Sequence, residues 1–302
     1  MSRLSRLLAL LLLLSLLASC GEGEPNDSTQ AATPPARVAV LFSSLAEVWQ
    51  AAGGTVAVTV GESVTRGLVP RGTPLVDSGA GKTVNTELLL AERPDLVVYS
   101  PDIPAGVKAA EAAERAGIAT LALRVESFSD YAAAIRTAAA LTGSDAALAR
   151  ISDEEAAIAA LLASDRARVA RGRSMLFIRA GQSASSTKAK RSEDHFAAAM
   201  LGELGLRNIA DEASVLLDTL SPEAILASDP DYIFFSLMGD EAGARANIEA
   251  MLARPEWQAL SAVREGRTVI LPRELFHYKP CARWREAYAY LIDILNLKEE
   301  TP

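Results

Sequence analysis

The sequence has few of the residues on which several classes of protein depend. Its 302 residues include two cysteines and two histidines, so we expect neither a disulfide scaffold nor a His-rich site for bare zinc or manganese. Aromatic residues make up 5%, and 30 basic side chains are outnumbered by 38 acidic ones. The net charge of -8 argues against nucleic-acid binding, which needs clustered cations. With 50% hydrophobic residues, the chain can still build about two globular domains.

The amino terminus has the pattern of an export signal. Arg3 and Arg6 precede an apolar run over residues 7–18, which is too short to span a bilayer as a mature helix. Residues 17–20, LASC, resemble the bacterial lipobox, in which the cysteine is acylated and becomes residue one. The alternative is an ordinary secretory signal with a chance cysteine. We expect a signal peptide over residues 1–19 and a lipid on Cys20, which would hold the protein on the outer side of a membrane, in the periplasm or at the cell surface.

A tether and two lobes are expected after the anchor. Residues 20–36 contain three prolines and no large apolar side chain, which is typical of a flexible linker. From residue 37 onward, short β-rich segments alternate with alanine-rich helical ones, so the predicted fold class is α/β with largely parallel sheets. Strands are predicted over residues 37–42, 55–60, 95–100, 118–124, 174–179, 231–237 and 268–271. Helices are predicted over residues 43–52, 85–92, 105–116, 129–141, 192–204, 242–253 and 282–297.

Residues 144–171 separate an amino-terminal lobe, residues 37–143, from a carboxy-terminal lobe, residues 172–302. This segment has no glycine or proline and is dominated by helix-forming residues. We expect a single connecting helix that spans about 40 Å at 1.5 Å per residue.

An internal repeat supports the division into two lobes. Residues 85–100, NTELLLAERPDLVVYS, align without gaps on residues 221–236, SPEAILASDPDYIFFS. Each copy predicts a short helix, a Pro-Asp turn and a strand. Asn85 and Ser221 suit helix N-caps, so Glu87 and Glu223 fall in the first helical turn. Each carboxylate either complements its helix dipole or is presented outward for function.

These features resemble the substrate-binding lipoproteins of ABC importers for vitamin B12, haem and ferric siderophores, over residues 37–298. In that family a glutamate at the tip of each lobe docks onto arginines of the membrane permease, and Glu87 and Glu223 occupy the matching positions. Residues 275–284, LFHYKPCARW, are similar to a KPNARW-type segment in one branch of the family, with Cys281 where asparagine is usual. The scarcity of histidine disfavours the related importers of free metal.

The resemblance places the ligand between the lobes, at the carboxyl ends of the strands, where open α/β sheets generally bind ligands. A polar loop over residues 181–191 adds Lys190 and Arg191 nearby, although a solvated surface is the alternative for these cations. A cationic, partly aromatic cleft suits a large metal chelate with carboxylates or phosphate. The candidate ligand-binding residues are Phe42, Ser43, Ser44, Tyr99, Arg179, Lys188, Met238, His277 and Tyr278.

His277 and Tyr278 are the candidates that could touch a metal. Either could ligate a haem iron axially, stack on a ring or donate a hydrogen bond. No resident cofactor or metal site is predicted. The expected partners are a siderophore, haem or corrinoid chelate, the permease subunits and the membrane through the lipid.

Two segments resemble enzyme motifs, but each lacks a glycine that its motif requires. Residues 79–83, GAGKT, end like a phosphate loop, but the pattern requires glycine at the position of Val76. Residues 61–65, GESVT, have Thr65 where a nucleophile elbow needs glycine. We therefore predict a binding lipoprotein, not an enzyme, that delivers a chelate to an importer. The alternative from another class is a membrane-anchored chelatase or hydrolase on the same two-lobed frame.

Overall fold

The computed structural model describes residues 34–77, 83–218 and 220–300. The predicted signal peptide, Cys20, most of the tether and most of the phosphate-loop-like segment lie outside these residues. Within the described residues, no helix is both long enough and apolar enough to cross a membrane.

The first lobe is built on a parallel sheet with the strand order β2-β1-β3-β4. Its strands are β1 (Val38–Val40), β2 (Val58–Thr59), β3 (Leu96–Tyr99) and β4 (Ala119–Ala122). Its helices are α1 (Ser43–Ala51), α2 (Gly61–Thr65), α3 (Thr86–Ala91), α4 (Pro104–Arg115) and α5 (Phe128–Thr142). The strands β1, β2 and β3 are short and buried, as expected for parallel strands that are covered on both faces, whereas β4 at the edge of the sheet is partly exposed.

The second lobe has a mixed sheet with the order β6-β5-β8-β9, and β7 pairs with the start of β5. Its strands are β5 (Ser174–Ala180), β6 (Lys188–Ala189), β7 (Arg207–Asn208), β8 (Tyr232–Leu237) and β9 (Thr268–Ile270). Its helices include α7 (Phe196–Glu203), α8 (Ile209–Glu212), α9 (Val215–Asp218), α10 (Pro222–Ser228) and α11 (Glu241–Leu252). They continue with α12 (Pro255–Gln258), α13 (Ser261–Arg264), α14 (Arg273–Phe276) and α15 (Trp284–Glu300).

The connecting helix α6 (Asp145–Ala163) is shorter than predicted. Ser164 adopts an extended conformation, and its hydroxyl accepts a hydrogen bond from the Ala167 amide at 3.2 Å. That contact starts a separate 3-10 turn over Arg166–Arg168. The expected continuous helix over residues 144–171 is therefore wrong at its carboxyl end, because a serine competes locally for the backbone hydrogen bonds.

The sequence repeat corresponds to a repeat in structure. The order β2-β1-β3-β4 of the first lobe matches β7-β5-β8-β9 of the second, so β1 and β5 occupy equivalent places. Asp95 accepts the Arg37 amide at 2.8 Å, and Asp231 accepts the Ser174 amide at 2.8 Å. The aspartate of each copy thus fixes the start of the neighbouring strand, which is a structural role.

One hydrophobic core runs through both lobes. The inner faces of the two sheets contribute to it together with α1, α5, α6, α7 and α15. Trp284 is fully buried, with its ring 6.1 Å from Phe128 in the first lobe and 6.0 Å from Phe196 in the second. The outer faces of the sheets form two separate cores. The lobes are therefore tied together by more than the connecting helix.

Candidate ligand-binding cleft

The candidate cleft lies where the carboxyl ends of the parallel strands of both lobes face each other. On the first lobe, Ser43 begins α1 directly after β1, and Glu62 and Arg66 belong to the turn of helix that follows β2. Ser43 donates a hydrogen bond to Glu62 at 2.5 Å and accepts one from Arg66 at 3.1 Å. Arg66 also donates to Glu47 at 2.8 Å. We call this set, Ser43, Glu47, Glu62 and Arg66, the first-lobe wall.

The second-lobe wall consists of Arg179, Ser236, Arg273 and His277. Arg179 near the end of β5 is in register with Ser236 in β8. Met175, Phe177 and Arg179 occupy alternate positions of β5, so their side chains lie on the same face of the sheet. Met175 and Phe177 belong to the core shared by the lobes, and Arg179 therefore extends from the face that points toward the first lobe. Arg273 begins α14 shortly after β9, and His277 follows the same helix. The wall is therefore assembled from the ends of three neighbouring strands.

Hydrogen bonds fix the protonation of His277. Its Nδ1 lies 2.9 Å from the Leu237 carbonyl, which can only accept, so Nδ1 carries the proton. Its Nε2 lies 3.2 Å from an Arg273 nitrogen, which can only donate, so Nε2 accepts. Burial is the main reason that the pKa of His277 is lowered, and Arg273 and Arg179 lower it further. The lone pair that an iron atom would need is thus occupied by Arg273.

A crossing segment, residues 278–283, runs from the second lobe back to the first. The Tyr278 ring lies under the Arg66 guanidinium, 4.3 Å from its carbon to the ring centroid. Lys279 donates to Glu126 at 2.5 Å, and the Cys281 thiol donates to the Ser44 carbonyl at 3.5 Å. The segment therefore borders the cleft and contacts the first lobe at three places.

Cys281 occupies the position at which the resembling segment has asparagine. Its φ is +46°, a left-handed conformation that asparagine tolerates better than most residues. Its side chain is buried, and burial raises the pKa of the thiol well above its usual range. The backbone conformation explains the usual asparagine, and the environment makes this thiol unreactive.

The predicted site residues do not all reach the cleft. Arg179, His277 and Tyr278 border it, and Met238 follows β8 with its amide bound to the Ala180 carbonyl at 2.8 Å. Ser43 is fully buried and supports Glu62 and Arg66 of the first-lobe wall. Phe42 packs against the shared core and Ser44 is buried beneath Cys281. Tyr99 packs against the outer core of the first lobe. Lys188 lies in the edge strand β6 instead of the expected loop.

The cleft also contains residues that the sequence reasoning missed. Glu62 and Arg273 each follow a strand end, so applying the strand-end rule to β2 and β9 identifies them. Glu126 and Lys279 could not be found in this way, since their pairing depends on how the lobes meet. Of the described residues, no three His, Cys, Asp or Glu side chains are grouped to hold a metal ion.

Two surface grooves lie apart from the cleft. One is floored by Tyr131, Ile135 and Ile151 between α5 and α6. The other lies in the second lobe around Thr187, Met251 and Trp257. Neither contains Arg179, His277 or Tyr278.

Two α/β lobes that share a core and meet at the carboxyl ends of their strands are the architecture of a bilobed binding protein. Residues 38–275 match the family described as periplasmic binding protein, and the chain therefore belongs to that family. The family consists of extracytoplasmic substrate-binding proteins of ABC transporters, which are not enzymes. No curated protein sequence matches the chain.

Solved structures share this fold at low sequence identity. The vitamin B12 binding protein BtuF of Vibrio cholerae is 18% identical with a TM-score of 0.67, over 89% of this chain and 99% of that one. Staphylococcus aureus SirA complexed with staphyloferrin B is 20% identical with a TM-score of 0.64, over 88% and 94%. The haem-binding protein RhuT from Roseiflexus sp. RS-1 is 19% identical with a TM-score of 0.65, over 87% and 99%.

Proposed function

We propose that the chain is a lipid-anchored binding protein that captures an iron siderophore, haem or a corrinoid and delivers it to the permease of an ABC importer. The observation that carries the proposal is the two-lobed fold of a periplasmic binding protein, with Arg179, Arg273 and Tyr278 near the strand ends where the lobes meet. Proteins of the same fold bind vitamin B12, staphyloferrin B and haem, which are all large chelates or macrocycles.

The export signal supports the site of action. We propose that residues 1–19 are removed, that Cys20 carries the lipid and that residues 20–36 tether the anchor to the lobes. The family is extracytoplasmic, which agrees with a protein that acts outside the cytoplasm. The lipid would hold the cleft within reach of a membrane-embedded partner.

The tips of the lobes support delivery to a permease. Helices α3 and α10 each lead into the amino end of a strand, so their first turns lie toward the carboxyl-end side of the sheets. Glu87 and Glu223 are both exposed in these first turns. Leu88 is 49% exposed and Leu226 is 39% exposed on the same two helices. Each lobe thus presents a carboxylate with an exposed leucine, which suits a docking surface for a partner with arginines.

A fluorescence titration tests the binding function. Residues 21–302 are titrated with haemin, cobalamin and a panel of ferric siderophores, and quenching of Trp49, Trp257 and Trp284 is followed. We expect saturable quenching below about 1 µM for one class, with one ligand per chain in native mass spectrometry. Absence of binding across the whole panel would contradict the proposal.

A further inference from the structure

Two partly buried arginines differ from the other partly buried arginines of the described chain. Among the described arginines that are partly buried, most form an ion pair with a carboxylate, as expected for a cation that loses part of its hydration. Within the residues that the structure describes, Arg179 and Arg273 have no carboxylate partner. Those that do are Arg37, Arg66, Arg173, Arg191, Arg245 and Arg267.

Both exceptions belong to the second-lobe wall. The guanidinium of Arg179 has no hydrogen-bond partner in the described chain, and burial alone lowers its pKa. Arg273 donates to the Gly239 carbonyl at 2.6 Å and to His277 at 3.2 Å, which leaves its charge unbalanced. Two cations are therefore held at one side of the cleft without an ion-pair partner in the described part of the chain.

The neighbouring histidines do not supply an anion or an extra acceptor. His277 is neutral, and its single lone pair already accepts from Arg273. His195 accepts the Ala197 amide at Nδ1, 3.2 Å away, so Nε2 carries the proton and donates to the Ser236 hydroxyl at 3.4 Å. The second-lobe wall consequently offers donors and positive charge.

The acceptors of the opposite wall are already engaged. Glu47 binds Arg66, Glu62 binds the Ser43 hydroxyl, and Glu126 beside the wall binds Lys279. We propose that Arg179 and Arg273 form an anion-binding pair, so that the protein selects a chelate with net negative charge from carboxylate or phosphate groups over one without net charge. This inference rests on the proposed function of the cleft.

Four chelates and four forms of the protein test the pair. Residues 21–302 are titrated with ferric citrate and haemin, which carry carboxylates, and with ferrichrome and cyanocobalamin, which have no net charge. The forms are wild type, Arg179→Gln, Arg179→Lys and the control Arg207→Gln. Arg207 lies in β7 at the amino end of the same sheet, away from the cleft, and is paired with Glu212 at 3.1 Å.

We expect wild type to bind a carboxylate-bearing chelate at least tenfold more tightly than either uncharged one. Arg179→Gln should weaken that binding at least tenfold, Arg179→Lys should weaken it less, and Arg207→Gln should leave it unchanged. Without ligand, Arg179→Gln should melt at the same temperature as wild type or higher, because it removes an unpaired, partly buried cation. That readout distinguishes a lost contact from a damaged fold.

The outcomes separate this inference from the proposed function. Tightest binding of ferrichrome or cyanocobalamin, with no effect of Arg179→Gln, would overturn the anion-binding pair and leave a chelate carrier in place. Tight binding of ferric citrate or haemin that Arg179→Gln does not alter would also overturn it. Absence of saturable binding for all four chelates would overturn the inference together with the carrier function.

Discussion

His195 is kept neutral by its surroundings. Its ring packs between Phe177 and Phe196, with centroids at 4.6 and 4.8 Å, and its Nδ1 caps the start of α7. Burial is the main cause that lowers its pKa to about 3, and Arg179, Lys190 and Lys279 add to the effect. A neutral histidine is what allows Nε2 to donate to Ser236 beside the second-lobe wall.

This depressed pKa predicts acid sensitivity. Below pH 6.5, His195 is protonated in the unfolded chain but stays neutral in the folded protein. The stability that neutral His195 contributes to the folded state is therefore fully present above that pH. It is lost as the pH falls toward 3, by up to about 1.4 kcal/mol per pH unit. His195→Asn keeps a helix N-cap without a titrating group. Between pH 7 and pH 5, the free energy of unfolding should decrease for both proteins. The decrease should be about 2 kcal/mol smaller for the His195→Asn variant than for wild type.

Urea unfolding at several pH values measures this difference. The paired carboxylates of the protein titrate in both forms, so comparing wild type with the variant isolates the histidine. Equal slopes of unfolding free energy against pH for the two proteins would contradict the assignment.

Single residues also show what the sequence could reveal of the site. Arg179 was identifiable because it comes at the end of a buried strand, where ligands bind in α/β sheets. The lack of a carboxylate near Arg179 was not identifiable, since arginines here also pair with carboxylates far away in sequence, such as Arg173 with Glu299. The same limit applies to His277, whose occupied lone pair depends on Leu237 and Arg273.

At the scale of elements, the strands of both lobes were predictable, because parallel strands buried on both faces are continuous apolar runs. The strands β6 and β7 were not, since Lys188–Ala189 and Arg207–Asn208 have no β-type pattern and pair with β5 only through tertiary context. The helices α3 and α10 were predictable from their caps. Asn85 accepts the Leu88 amide at 3.1 Å, and Ser221 accepts the Ala224 amide at 3.3 Å.

These two helices carry the prediction for docking. The double variant Glu87→Ala, Glu223→Ala should retain chelate affinity, because both side chains lie on the helices at the lobe tips and neither belongs to the cleft walls. Uptake of the chelate by cells should fall by at least tenfold, since both carboxylates would be lost from the surface that we propose meets the permease. The measurements are the tryptophan titration and cellular uptake of the labelled chelate.

A matched pair of glutamates serves as the control. Glu111 in α4 and Glu249 in α11 are also exposed, one in each lobe. Their double alanine variant should behave as wild type in both assays. If the Glu87, Glu223 variant lost chelate binding in proportion to uptake, the docking role would be rejected.

At the scale of the whole molecule, the shared core is expected to limit how far the lobes can close. Trp284 packs against aromatic rings of both lobes, and the crossing segment adds the Lys279 to Glu126 and Tyr278 to Arg66 contacts. A large hinge rotation would have to open this core, at the cost of buried apolar area and packing. Small adjustments around the ligand need no such rupture.

Small-angle scattering tests this limit. A chain of this size has a radius of gyration of about 19 Å, and we expect saturating ligand to change it by less than about 0.5 Å. Lys279→Met removes the ion pair that bridges the cleft but leaves the core intact, so the change should stay equally small if the core is what restricts motion. A compaction above about 1 Å in wild type would contradict limited closure. A large change in the variant alone would assign the restriction to the Lys279 bridge instead of the core.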